Sequence, residues 1–113
     1  MIYVASPYSD PNPLVREQRY LLACRFVAHH QRQGTPVFSP IVHSHPLVEL
    51  CGLPPNDWEF WRKIADAYLK VANTLWIVKL PGWRESVGVT YEHERAIRRL
   101  MPVEYHEPIE VGP

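Results

Sequence analysis

The chain has 113 residues, 46 % apolar and 21 % charged, and its 12 basic and 12 acidic side chains give a formal net charge of zero. That length supports one hydrophobic core and a single domain over residues 1–113, not two. Balanced charge argues against a duplex nucleic-acid binder, and no apolar run approaches the roughly 20 residues of a membrane span.

Residues 1–5 read as a short buried strand. No basic segment precedes Ile2-Tyr3-Val4-Ala5, so no secretory leader is expected. Cys24 and Cys51 stand alone, which fits reduced thiols and a cytoplasmic location. Within the strand, Ile2 and Val4 must lie on the opposite face from Tyr3, and a phenol in a central strand needs a hydrogen-bond partner. Residues 6–12 form a loop. Its Ser6-Pro7-Tyr8-Ser9 is no glycine-rich phosphate loop. Its hydroxyls and amides could receive a sugar or a phosphate, and an ordinary turn on Pro7 has equal weight.

A helix is predicted over 13–33. Pro13 suits its first turn, Leu14, Leu21, Leu22, Phe26 and Ala28 supply an apolar stripe, and Gly34 ends it. Arg16 and Arg19 in its first turns are expected to be solvated or paired with Glu17 rather than bound to a phosphate. A second short strand spans 36–39. Residues 40–56 read as a long proline-bearing loop, longer than a compact domain usually carries without function. It contains His43-Ser44-His45, with Glu49 and Cys51 nearby. No zinc-site spacing is present, so a polar contact to a ligand is expected of His43 and His45 before a metal, and an ordinary surface-loop histidine before either.

A helix follows over 57–71, with Asp57 as N-cap. Trp58 and Trp61 suit either the core or a cleft. Asp66 could pair with Lys70 four residues on, or contact a base or ribose. The run Thr74-Leu75-Trp76-Ile77-Val78-Lys79-Leu80 reads as a third strand. Trp83, in the loop after it, suits stacking on a nucleobase or anchoring its own loop. The third helix covers 86–100 and a fourth strand 102–105, and residues 107–113 read as a tail.

Strands alternating with helices, and apolar throughout, predict a three-layer α/β/α fold. It would be flavodoxin- or Rossmann-like, with a short parallel sheet of four to five strands. Ligands in such folds bind beyond the carboxyl ends of the strands. The loops at 6–12, 40–56 and 81–85 collect there.

The helix behind the third of these loops carries the sharpest signal. Val89, Glu92 and Ala96 are spaced i, i+3 and i+7 and share its core-facing side. A carboxylate in such a position is costly unless paired or open to a pocket. Gly88, one turn earlier, is expected to leave space above it. Geometry alone weighs a nucleophile or general acid/base evenly against a structural carboxylate.

Two segments, Ile2-Tyr3-Val4-Ala5-Ser6-Pro7-Tyr8 and Ser86-Val87-Gly88-Val89-Thr90-Tyr91-Glu92-x-x-x-Ala96, resemble the nucleoside 2-deoxyribosyltransferase superfamily. Within it, the chain is most similar to a small bacterial family marked by G-W-x-x-S-x-G-v-x-x-E. The resemblance implies that Glu92 attacks the anomeric carbon of a nucleoside, that Tyr3 holds this nucleophile, and that Asp66 helps bind and protonate the base. It also implies that Ser6 and Tyr8 touch sugar or base. The chain departs from the superfamily at Ser86, where an aspartate is usual, and in the 6–9 loop, which lacks a glycine and arginine pattern.

These readings predict an enzyme of the N-glycosidic bond, a deoxyribosyltransferase or hydrolase acting on a small nucleoside or nucleotide. The alternative is a non-catalytic nucleotide-binding module with the same pocket. The expected catalytic residues are Glu92, Tyr3 and Asp66, with a histidine of the 40–56 loop as the alternative to Asp66 for protonating the departing base. The expected binding residues are Ser6, Pro7, Tyr8, His43, His45, Trp83, Ser86 and Gly88. The chemistry requires no metal or organic cofactor. Superfamily members are commonly oligomeric, and a homo-oligomer is expected, with the tail at 107–113 a candidate contact.

Overall fold

The computed structural model describes residues 1–109. Strands β1 (Ile2–Ala5), β2 (Val37–Phe38), β3 (Thr74–Val78) and β4 (Val103–His106) form one parallel sheet in the order β2-β1-β3-β4. Parallel neighbours need crossover connections, and four helices supply them: α1 (Pro13–Arg32), α2 (Pro40–Cys51), α3 (Trp58–Val71) and α4 (Val87–Arg98). The order is that of a flavodoxin-like α/β fold with four strands. Among the described residues, no helix is long and apolar enough to cross a membrane.

The sheet is apolar on both faces because both are covered. On one face Tyr3, Ala5, Leu75 and Ile77 pack with Leu69 of α3 and with Val89 and Ala96 of α4. On the other, Val4, Trp76 and Val78 pack with Phe26 and Val27 of α1, and Val42 of α2 joins them. Tyr3 is thereby turned toward α3 and α4, opposite Ile2 and Val4, as strand alternation requires. The pairing Tyr3↔Leu75 and Tyr3↔Phe38 puts it in the middle of the sheet.

Local chemistry sets the helix boundaries. Asn12, Ser39, Asp57 and Ser86 each accept a backbone N–H from the first turn of α1, α2, α3 and α4 respectively. Pro13 and Pro40 occupy first-turn positions where no N–H is needed.

Two expectations are corrected. The stretch at 40–56 is not a long loop. Its first part is α2, opened by Ser39 and Pro40 and closed by Gly52 at φ +73°. Pro46 lies inside this helix, and as a usual helix breaker it hides the helix from a sequence reading. The stripe of α1 also differs: Leu14 is 75 % exposed and Leu21 is exposed, while Ala23, Phe26 and Val27 are buried. Of the tail at 107–113, Glu107 accepts an ion pair from Lys79 and Ile109 packs against the α1 side of the core. Residues 110–113 lie outside the described residues.

Candidate active site

A cavity of about 580 Å³ opens beyond the carboxyl ends of the strands. One wall is polar and comes from the segment after β1, from α1 and from α2: Ser6, Tyr8, Arg19, Ser44 and His45. The other is largely apolar and comes from α3: Trp58, Trp61, Ile64 and Ala65. Tyr3 of β1 and Ser86, Gly88 and Glu92 at the start of α4 complete it.

Glu92 is where helical spacing put it. The buried residues of α4 are Val89, Glu92 and Ala96, and Glu92 is only 8 % exposed. Its Oε2 accepts a hydrogen bond from the Tyr3 hydroxyl. Tyr3 is fully buried, so the phenol and the carboxyl satisfy each other away from water. Burial pushes the Glu92 pKa up to about 8, against a smaller downward pull from the Tyr3 bond. Burial, together with the neighbouring Glu92, raises the Tyr3 phenol well above its ordinary range. The result is a carboxyl that exchanges its proton near neutral pH on the wall of a cavity.

Gly88 and Ser86 shape the approach to it. A methyl group on Gly88 would meet the Trp58 ring at 3.5 Å and Ser86 Oγ at 3.8 Å, so the bare backbone widens the gap between α4 and the indole wall. Ser86 Oγ accepts the Val89 N–H at 3.1 Å, which fixes the helix start. The indole of Trp61 is held by donation from Nε1 to the Pro54 carbonyl at 2.6 Å.

On the polar wall, the Tyr8 hydroxyl and His45 Nδ1 lie 2.7 Å apart, and His45 Nε2 lies 3.2 Å from Glu17 Oε2. His45 is 4 % exposed and its ring stacks on Tyr20 with centroids 4.2 Å apart. Ser6 is buried, and its Oγ has no hydrogen-bond partner among the described residues. Arg19 donates from Nη1 to the carbonyls of Ser9 at 2.9 Å and Tyr8 at 3.2 Å. Gly82, at φ +90°, leaves room for its guanidinium: a Cβ there would come within 2.7 Å of Nη2.

The predicted residues therefore divide. Glu92, Tyr3, Ser6, Tyr8, His45, Ser86 and Gly88 converge on the cavity. Pro7 is fully buried and does not line it. His43 is exposed beside Phe38 and also lies off the cavity. Trp83 packs against the core with the Arg84 guanidinium 5.0 Å from its ring, so it anchors its loop. Asp66 is not on the cavity wall and does not pair with Lys70. Its Oδ1 accepts the Tyr91 hydroxyl at 2.6 Å, with Arg95 Nε at 3.5 Å and Arg62 at 3.7 Å from the carboxylate. Burial raises the Asp66 pKa, but the Tyr91 bond and the two arginines outweigh it and hold the group below its ordinary value.

The expectation for Arg19 is corrected, since its guanidinium is on the cavity wall and bound to backbone carbonyls. Ser44, Trp58 and Trp61 also belong to the wall. Only the sequence context of Gly82, a turn glycine just past a strand, hinted at a close approach there. Among the described residues, no group of three His, Cys, Asp or Glu side chains is arranged to hold a metal ion.

No curated protein matches the chain. Residues 1–107 match the family model described as a domain of unknown function, DUF1937, and the chain belongs to that family.

Proposed function

We propose that the protein is an N-glycosidic bond enzyme, a deoxyribosyltransferase or hydrolase acting on a small nucleoside or nucleotide, with Glu92 as its nucleophile. One observation carries the reading: the buried Glu92 carboxyl lies on the wall of an open cavity and is held by the Tyr3 phenol. The resemblance of the β1 and α4 motifs to the nucleoside 2-deoxyribosyltransferase superfamily supports the same role.

The chemistry follows from the placement. As the carboxylate, Glu92 attacks C1′, and the glycosidic electron pair leaves with the base, giving a glycosyl ester of Glu92. Tyr3 orients the carboxyl. The indoles of Trp58 and Trp61 offer a flat apolar wall suited to a base, since every base has a face that stacks on aromatic rings. The polar wall of Ser6, Tyr8 and His45 suits the sugar and the departing group. Water or a second base then resolves the ester.

The test is a chromatographic panel of deoxy- and ribonucleosides and their monophosphates, with and without free bases, run with the wild type and Glu92→Gln. Base release or exchange by the wild type alone is the expected result. Binding without turnover would favour a nucleotide-binding module in the same cavity, and turnover by Glu92→Gln at the wild-type rate would overturn the nucleophile.

A further inference from the structure

The departing base needs a proton, and a cavity filled by substrate has little water to give one. Asp66, to which the superfamily resemblance assigns this step, is poorly placed for it. It lies off the cavity wall, and Tyr91, Arg95 and Arg62 keep it ionised, so it has no proton to donate. A different donor stands on the wall itself. Tyr8 reaches His45 at 2.7 Å, and His45 reaches Glu17 at 3.2 Å. The three come from the segment after β1, from α2 and from α1. The chain has a wet end and a dry end: the Glu17 side chain is 53 % exposed, while His45 is buried.

We propose that Tyr8, His45 and Glu17 form a proton relay on the cavity wall, with Tyr8 as the acid that protonates the leaving group; the assignment rests on the N-glycosidic reading above. Glu17 accepts from Nε2–H of His45, which fixes the ring. With both ring nitrogens protonated, Nδ1–H donates to the Tyr8 oxygen, and the Tyr8 hydroxyl is free to donate into the cavity.

The step balances. The C1′–Oε bond to Glu92 forms as the C1′–N bond breaks, and its electron pair goes to the base nitrogen. That nitrogen takes the Tyr8 proton, and the Tyr8 oxygen takes the proton of His45 Nδ1. The imidazole is left neutral, still bonded through Nε2–H to Glu17. Attack of water on the ester releases a proton that recharges His45 by the reverse path. Tyr8 is the catalytic residue of the relay; His45 and Glu17 act through it as positioning residues.

The test uses leaving groups of different need. Wild type, Tyr8→Phe, His45→Gln and Glu92→Gln are each assayed on a 2′-deoxyribonucleoside and on a 4-nitrophenyl 2-deoxyriboside, whose phenolate departs without a proton. The readout is the ratio of kcat/KM on the two substrates. Tyr8→Phe is expected to lower this nucleoside-to-aryl ratio by about a hundredfold or more, and His45→Gln to lower it in the same direction. Retained aryl turnover shows that each variant is folded. Glu92→Gln should lose both substrates together. An unchanged ratio in Tyr8→Phe, with Glu92→Gln inactive, overturns the relay and leaves the nucleophile standing. A wild type that turns over neither substrate overturns both.

Discussion

The phenol of Tyr3 and the carboxyl of Glu92, 89 positions apart in the chain, share one hydrogen bond beneath the cavity. Burial raises the proton affinity of both groups, and their shared bond pulls that of Glu92 back down in part. The pair joins the central strand β1 to the first half of α4, so it is both a structural tie and a chemical device.

Stability depends on pH through Glu92. Its folded pKa, about 8, is above the ordinary 4.5, so the native state binds more protons than the unfolded chain between these values. Stability therefore falls as pH rises from about 4.5 to about 8. Glu92→Gln removes this titration. The variant should melt higher than the wild type at pH 8–9, a range taken from the folded pKa, with the gap shrinking toward pH 5. Thermal melts across this range check it; a gap independent of pH would contradict the burial of an ionisable carboxyl.

If the carboxylate is the nucleophile, kcat/KM rises with pH through about 8. The Tyr3 bond pulls the Glu92 pKa down, so Tyr3→Phe moves that rise to higher pH. The same variant leaves the buried carboxyl without its donor and costs about 1–3 kcal/mol of stability. A pH–rate profile and denaturant melts of the one protein separate the two effects.

Gly82→Ala tests the Arg19 pocket. The backbone at φ +90° disfavours any side chain, by about 1–2 kcal/mol. The added methyl also displaces the Arg19 guanidinium, 2.7 Å from where it would stand. Lower stability together with weaker binding of nucleosides is expected, read by melting and by calorimetry.

Ser86→Ala removes the cap of α4, whose Oγ accepts the Val89 N–H. A loss of about 1 kcal/mol is expected. Ser86→Asp restores an acceptor and should recover most of it, as equilibrium unfolding would show.

Sequence alone determined much of this protein. Continuously apolar strands alternating with helices sufficed for the parallel fold, strand alternation for Tyr3 facing away from Ile2 and Val4, and helical spacing for Glu92 turned inward between Val89 and Ala96. Those are properties of one strand or one helix, fixed by local geometry. Caps were legible too, because Asp57 and Gly34 act within a few residues. The helix at Pro40–Cys51 was not, since Pro46 reads as a breaker while tertiary contacts hold the turn around it. Position along the chain left open whether Trp83 stacks on a ligand or anchors its loop, and it did not place Asp66, His43 and Pro7 off the cavity. What a side chain meets depends on elements far away in sequence, and only the packed structure turned Asp66 toward Tyr91 and Arg95 and brought Arg19 beside Gly82. The Tyr8–His45–Glu17 chain is of the same kind: three elements must dock before its hydrogen bonds exist.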